Sequence, residues 1–227
     1  MNERQEELFK NIIHEYVESA KAVGSDFLAG KYDLGISSAT IRNDMAELEG
    51  AGLIYQPHTS AGRVPTEKGF NYFVKNYLSG AGKISEKEKN FIKKAQQAGI
   101  KMPESTGSKN VVKALAELSE TAVVYCLGRS NTYYTGLSNL LTQPEFFDFN
   151  LIQNIAGVVD NIDEVVDRIF DQIKETEIRI GKENKFSPMC ASIFTKKDGQ
   201  VLGLIGPMRM NYERNLGLIN FTKELLS

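Results

Sequence analysis

Apolar and polar positions alternate with a helical period at the start of the chain. Apolar side chains recur every three or four positions over residues 4–20, which predicts an amphipathic helix. Ser25 can cap a short second helix over residues 26–31. The sequence Asp33-Leu34-Gly35 then favours a tight turn. Two helices and a turn are therefore expected ahead of residue 36.

A third helix is expected in the segment ISSATIRNDMAELEGAGLI. Either Ser37 or Ser38 is a natural N-cap, because a serine hydroxyl accepts a hydrogen bond from a free N–H of the first turn. Gly50 and Gly52 mark the end of the helix. Three apolar side chains share one face at helical spacing and are expected in the core, namely Ile41, Met45 and Leu48.

The opposite face of this third helix has the composition that a DNA major groove requires. Its alanines let the backbone come close, while Arg42 can bind guanine and Asn43 can bind adenine, each through two hydrogen bonds. Hydroxyls and free N–H groups of the first turn can donate to phosphates. Taken alone, the segment also fits an ordinary surface helix. Its candidate DNA contacts are Ser37, Ser38, Ala39, Thr40, Arg42 and Asn43.

A hairpin pattern follows the third helix. Residues 53–55 predict a short strand, residues 56–62 a turn-rich tip, and Arg63-Val64 a return strand that Pro65 stops. Helix, turn, helix and hairpin in this order are typical of a winged helix-turn-helix. An arginine at the tip can touch the phosphate backbone or enter a minor groove. The candidate DNA contacts of the hairpin are His58, Thr59 and Arg63.

A fourth helix and several later ones are predicted by the same periodicity. Thr66 can cap the fourth helix, whose aromatic face we expect to pack in the core. Ser85 and Glu88 form a capping box for a Lys-rich helix to about residue 98. A loop over 99–107 and a helix over 108–120 follow. Later segments predict two helices between 151 and 173, favoured over a heptad-like dimer seam, and a closing helix over 212–226.

Strand patterns are interleaved with these helices. Residues 122–127 form a continuous apolar run that suits a buried strand, and residues 132–135 and 177–180 suit further strands. Two more strand patterns, over 189–195 and 201–205, flank Lys197-Asp198-Gly199, which is typical of a hairpin turn. The chain after the winged helix is therefore predicted to be α+β, with a mostly antiparallel sheet.

Composition argues against several classes of protein. The chain has 227 residues, of which 41% are hydrophobic and 25% charged, as in soluble globular proteins. It contains two histidines and two cysteines, and no phosphate-loop, dinucleotide, nucleophile-elbow or metal-ligand motif. We therefore expect no enzyme, no catalytic residue, no cofactor and no metal. The charged N-terminus and the lack of a long apolar stretch favour a cytoplasmic location.

Charge is distributed unevenly along the chain. Residues 1–80 carry 8 basic and 11 acidic side chains, whereas residues 81–113 carry 8 basic and 3 acidic ones. The basic segment can either help to hold nucleic acid or form a solvated linker. A net charge of −3 over the first eighty residues is unusual for a DNA-binding domain. We expect the acidic side chains of the first helix to face away from DNA.

The run SSATIRNDMAELE followed by PHTSAGRVPTEKG resembles the N-terminal domain of the HrcA-type heat-inducible transcription repressors of bacteria. Later pieces, GLSNLLTQPEF, IGKEN and IGPMRMNY, resemble the GAF-like domain of the same family. The resemblance implies binding to an inverted repeat, the CIRCE operator, upstream of chaperone operons, with repressor activity that depends on the chaperonin and falls on heating. Typical members also carry an inserted dimerising domain ahead of GLSNLL, which this chain lacks.

Together these observations predict three regions and one leading function. Residues 1–78 are expected to form the DNA-binding domain, residues 79–110 a basic helical linker, and residues 111–227 a GAF-like regulatory and dimerisation domain. The leading hypothesis is a homodimeric repressor of heat-shock operons, with double-stranded DNA and the chaperonin as partners. The alternatives are a ligand-sensing winged-helix regulator and a protein-interaction module that has lost DNA binding.

Overall fold

The computed structural model describes residues 1–80, 82–99, 104–128, 131–147 and 162–226. Its contacts divide the chain into two compact units, Met1–Leu78 and Ser79–Ser227. The first unit consists of helices followed by a small hairpin and one more helix. The second unit is built around one larger sheet. Each unit has its own buried core.

The first unit contains four helices and a two-stranded hairpin. Its elements are α1 (Glu3–Ser19), α2 (Ser25–Lys31), α3 (Ser38–Gly50), β1 (Ile54–Tyr55), β2 (Val64–Pro65) and α4 (Glu67–Tyr77). Asn2 caps α1 and forms a capping box with Gln5. The predicted cap of α2 is wrong by one residue, because Gly24 occupies the N-cap position and Ser25 is already helical and buried.

The core of the first unit lies between α1, α2, α3 and the hairpin. Helix α1 contacts α3, α4 and β2, while α2 contacts α3. The fully buried apolar side chains at this junction include Leu8, Phe9, Ile12, Ile13, Leu28, Ile41, Leu48, Ile54 and Phe70. Because these residues come from every helix and from the hairpin, the core fixes the helices and the hairpin in one arrangement.

Helix α4 begins as predicted but buries less of its apolar face. The Thr66 hydroxyl accepts a hydrogen bond from the Gly69 N–H at 2.9 Å. Gly69 lies so close to the hairpin that a Cβ there would stand 2.1 Å from the Leu53 carbonyl oxygen. Phe70 is buried, whereas Phe73 and Tyr77 are only half-buried and contact His14 and Lys10 of α1, respectively. The expectation that the whole aromatic face lies in the core is therefore met only in part.

The second unit packs helices against an antiparallel sheet. Its helices are α5 (Glu86–Gly99), α6 (Glu104–Ser119), α7 (Leu137–Leu141), α8 (Ile162–Phe170) and α9 (Tyr212–Leu226). Its strands are β3 (Ala122–Cys126), β4 (Thr132–Thr135), β5 (Glu177–Ile180), β6 (Cys190–Lys197) and β7 (Gln200–Pro207). The strand order is β4-β3-β7-β6-β5, and each neighbouring pair is antiparallel. The predicted α+β class and antiparallel sheet are confirmed.

Helices cover both faces of this sheet. Helices α6 and α9 contact the sheet strands, and α5 contacts α6 and α9. A second core on the sheet includes Val124 and Phe194 together with Phe146 and side chains of α8 such as Ile169. The segment we expected to be a linker thus contributes α5, which packs within the second unit.

Most predicted elements of the second unit agree with the structure to within a few residues. Asp198 and Gly199 both adopt positive φ, of 50° and 76°, as a tight hairpin turn between β6 and β7 requires. Helix α6 starts earlier than predicted, at Glu104, so the predicted loop extends too far. The first of the two helices predicted between 151 and 173 lies mostly outside the described residues, and the second corresponds to α8.

Candidate nucleic-acid interface

Helix α3 presents the predicted outward face. Ser37 is the N-cap, and its hydroxyl accepts a hydrogen bond from the Thr40 N–H at 3.2 Å. The side chains of Ile41, Met45 and Leu48 are buried against the rest of the unit. Four side chains on the other side are exposed, namely Ala39, Arg42, Asn43 and Ala46. The burial of one face therefore turns the small and polar face toward solvent.

Helix α2 supports α3 through the side chain of Arg42. The Arg42 Nη2 donates a hydrogen bond to the Ser25 hydroxyl at 3.3 Å, while Arg42 itself is exposed. Gly35, in the turn between the two helices, has a φ of 64°, a left-handed conformation that glycine adopts without strain. The Arg42 guanidinium therefore points away from the core and stays accessible to solvent.

The acidic side chains of α3 are bound to neighbouring elements. Asp44 is 3% exposed, and both of its oxygens accept hydrogen bonds at 2.8 Å from Arg4 of α1. Glu47 accepts from the Gln5 side chain at 2.5 Å. Glu49 forms an ion pair with Arg63 of the hairpin at 2.9 Å. Asp44 and Glu49 thus have cationic partners, whereas Glu47, which is exposed, is bound only by a neutral amide.

A buried carboxylate also joins α1 to α2. Glu15 accepts hydrogen bonds from the Lys31 ammonium and the Tyr32 hydroxyl, each at 2.5 Å. Burial alone would raise the pKa of Glu15, but these two partners lower it below its ordinary value. Burial and the neighbouring Glu15 raise the pKa of Tyr32 to about 12. This acid of the first helix is thus engaged inside the unit.

The hairpin tip exposes two predicted contacts. His58 and Thr59 are exposed, and the His58 Nδ1 lies 3.2 Å from the Ser60 hydroxyl. The Gln56 side chain organises the tip, because its Nε2 donates to the carbonyls of Thr59 at 3.0 Å and Ala61 at 2.9 Å. The tip therefore has a defined shape.

Arg63 is not at the tip, contrary to our expectation. It directly precedes β2, where the loop joins the paired strands, and its N–H donates to the Val23 carbonyl at 2.8 Å. Its side chain is 14% exposed and paired with Glu49. The expected position was wrong because the return strand starts only at Val64, which leaves residue 63 beside α3.

Sequence reasoning missed the residues that hold this surface together. Arg4, Gln5 and Gln56 lie outside α3 and were assigned no role. A partner for Asp44 could have been predicted from the sequence. Asp44 follows Ile41 by three positions and so falls on the buried face of α3, where a carboxylate needs a partner. The identity of that partner depends on how α1 packs.

The family-like motifs of the second unit make structural contacts. Arg209 pairs with Glu145, and its Nη2 donates to Gln143 at 2.6 Å, so two of the motifs meet here. Cys126 and Cys190 are buried free thiols, and burial raises the pKa of Cys190 to about 12. Within the described ranges, no group of side chains has the composition of a metal site.

No helix among the residues that the structure describes is long and apolar enough to span a membrane.

The exposed face of α3, the turn before it and the hairpin after it define a DNA-binding protein of the winged helix-turn-helix class. A family model described as a DeoR-like helix-turn-helix domain matches residues 11–66. A second model, described as the HrcA protein C terminal domain, matches residues 72–216. The chain therefore belongs to the HrcA family.

Known relatives are similar to the chain over different lengths. The heat-inducible transcription repressor HrcA of Pelotomaculum thermopropionicum is 44% identical over 101 residues, which are 44% of this chain but only 29% of that relative. The repressor of the same name from a Thermoanaerobacter species is 27% identical over 329 residues, covering 99% of this chain and 96% of the relative. Since this chain has 227 residues, that relative contains additional residues that the chain lacks. These relatives are named as repressors, which agrees with the expectation of a non-enzymatic protein.

A solved structure described as a hypothetical protein at 2.2 Å resolution has the same fold. It superposes with a TM-score of 0.75 at 20% sequence identity, covering 99% of this chain and 97% of the other. This similarity extends the two-unit architecture to a protein of distant sequence.

Proposed function

We propose that the chain is a DNA-binding transcription repressor that recognises a CIRCE-type inverted repeat in the bacterial cytoplasm. The observation that carries the proposal is the exposed face of α3 around Arg42 and Asn43, on which no acidic side chain is exposed before Glu47. The first unit is the DNA-binding domain in this proposal. Its contacts are the first turn of α3 (Ser37, Ser38, Ala39 and Thr40), the base-reading pair Arg42 and Asn43, and the hairpin tip with His58 and Thr59.

Each group of residues has a separate task in the proposed complex. The hydroxyls and N–H groups of the first turn of α3 donate to phosphates and set the position of the helix. Arg42 and Asn43 read base edges in the major groove. The exposed tip lies beside the duplex and contacts the sugar-phosphate backbone or the minor groove. Family membership supports this division of roles.

An inverted repeat requires two copies of the chain. Two DNA-binding units bind the two half-sites symmetrically only when the protein is a two-fold dimer. We therefore propose a homodimer. The resemblance also supports repression of chaperone operons, dependence of the active repressor on the chaperonin, and release on heating.

The test is binding to a labelled CIRCE-type inverted repeat and to a scrambled duplex at one salt concentration, with and without chaperonin. A clear preference for the inverted repeat is expected. Equal or absent binding to the two duplexes in both conditions contradicts the proposal. If the preference is the same with and without chaperonin, the result supports DNA recognition and contradicts only the proposed chaperonin dependence.

A further inference from the structure

We infer that Glu49, Gln56 and Arg63 form a wing clasp that fixes the hairpin relative to α3, and that Glu49 and Arg63 contact each other and not DNA. Both are positioning residues in this inference. It rests on the proposed DNA-binding function and specifies how the hairpin part of that site is built.

A single carboxylate connects α3 to both arms of the hairpin. The Glu49 Oε1 accepts a hydrogen bond from the Gln56 N–H at 2.9 Å, and its Oε2 lies 2.9 Å from the Arg63 Nε. Gln56 directly follows β1, and Arg63 directly precedes β2. Glu49 therefore holds the point where the chain leaves the first strand and the point where it enters the second.

Arg63 is engaged through its backbone as well as its side chain. Its N–H and carbonyl form a two-bond bridge with Val23, at 2.8 and 2.9 Å. Its Nε is shielded from solvent and faces the Glu49 carboxylate as an ion pair without a hydrogen bond. Contact with a phosphate through Nε would require the guanidinium to leave Glu49, and a partly buried carboxylate would then lose its counter-charge. The geometry thus favours a fixed Arg63.

The clasp extends to the exposed tip through Gln56. The Gln56 backbone is bound to Glu49, and its side chain donates to the carbonyls of Thr59 and Ala61. The residues proposed to touch DNA at the tip are therefore connected to the recognition helix by an unbroken set of hydrogen bonds. Loss of the Glu49 charge should remove the ion pair with Arg63 and loosen the tip at its Arg63 end, without altering the outward face of α3.

The two possible roles of Arg63 predict opposite effects of neutralising Glu49. If Arg63 bound phosphate directly, Glu49 would compete with DNA for the guanidinium, and Glu49→Gln would strengthen binding. If the clasp positions the hairpin, Glu49→Gln loosens it and weakens binding. Glu49→Gln keeps an oxygen that can accept from the Gln56 N–H, so the variant isolates the ion pair.

The experiment measures operator binding by the full chain and by the variants Glu49→Gln, Arg63→Gln and the double variant. Glu7→Gln, on an exposed position of α1, is the matched charge control. We expect each single variant to bind about tenfold more weakly, and the double variant to bind no more weakly than the single ones, because the pair acts as a unit. The salt dependence of binding should stay the same, since no phosphate contact is removed.

Two outcomes of the binding experiment overturn the clasp. One is equal or tighter operator binding by Glu49→Gln. The other is a reduction of the salt slope by about one in Arg63→Gln, which would indicate a lost phosphate contact. Thermal melting verifies that each variant is folded. If Arg63→Gln does not fold, the inference is tested by whether Glu49→Gln weakens or strengthens operator binding.

Hydrogen exchange separates the clasp from the proposed function. In the free chain, we expect amides of residues 58–62, which precede Arg63, to exchange at least tenfold faster in Glu49→Gln than in the parent chain or in Glu7→Gln, while α3 amides keep their protection. Unchanged exchange refutes the clasp whether or not the chain binds the operator. If the parent chain shows no preference for the operator, the proposed function is refuted. The hydrogen-exchange rates of the hairpin amides still test the clasp in that case.

Discussion

At the residue scale, the proposed base recognition is concentrated in two side chains. Arg42 and Asn43 are exposed on α3, and the helix around them offers alanines in place of larger groups. We predict that Arg42→Ala and Asn43→Ala each cost about 1–3 kcal/mol in operator binding and relax the preference for one base pair. Competition binding with singly substituted operators measures both effects, with Glu7→Ala as control. An equal loss on operator and scrambled DNA would contradict base recognition.

The buried Glu15 gives a second prediction at this scale. Its pKa is lowered in the folded chain by Lys31 and Tyr32. A lowered carboxylate pKa stabilises the fold above the unfolded-state value of about 4.3, and this contribution disappears as the pH falls through the folded-state value. Glu15→Gln should therefore lower the melting temperature at pH 7 and have a smaller effect at pH 3. Melting curves at the two pH values, beside the exposed Glu18→Gln, test it. A difference that grows at low pH would refute it.

At the element scale, the position of the hairpin depends on a close approach of two backbones. A Cβ on Gly62 would stand 2.3 Å from the Val23 carbonyl carbon and oxygen. We predict that Gly62→Ala destabilises the first unit by about 1–3 kcal/mol, because the backbone must shift. Gly50→Ala is the matched control, since its added Cβ meets nothing within 4 Å. Thermal unfolding of the two variants checks the prediction, and equal stability of both would contradict it.

The same elements explain how far sequence reasoning reaches. The cap at Ser37, the buried face of α3 and the hairpin that follows are local features, and periodicity and capping rules predict them. The ion pair between Arg4 and Asp44 joins residues 40 positions apart, so it depends on tertiary packing. The position expected for Arg63 was wrong because its environment depends on the exact start of β2 and on the Glu49 carboxylate, 14 residues earlier in the chain.

At the scale of the whole molecule, the distribution of charge controls how binding responds to salt. The acids of α3 are engaged by other elements, but few exposed cations lie on the proposed DNA face beside Arg42. We predict a modest salt slope for operator binding, smaller than that of proteins with 6–10 phosphate contacts. Titrations between 50 and 200 mM salt measure it. A steep slope would implicate further lysines, with those of the Lys-rich helix α5 as the first to substitute.

The two-fold symmetry of the proposed operator requires two copies of this chain. The alignment with one longer relative extends over 329 residues and covers 99% of this chain, so that relative contains residues without a counterpart here. We predict a homodimer, free or on DNA, because each half-site of an inverted repeat needs its own first unit. Sedimentation velocity of the free chain, and of the chain with a full operator and with a single half-site, tests this. Two chains on the full operator and much weaker binding to the half-site are expected, whereas one chain on both duplexes would show that the shortened chain reads half-sites independently.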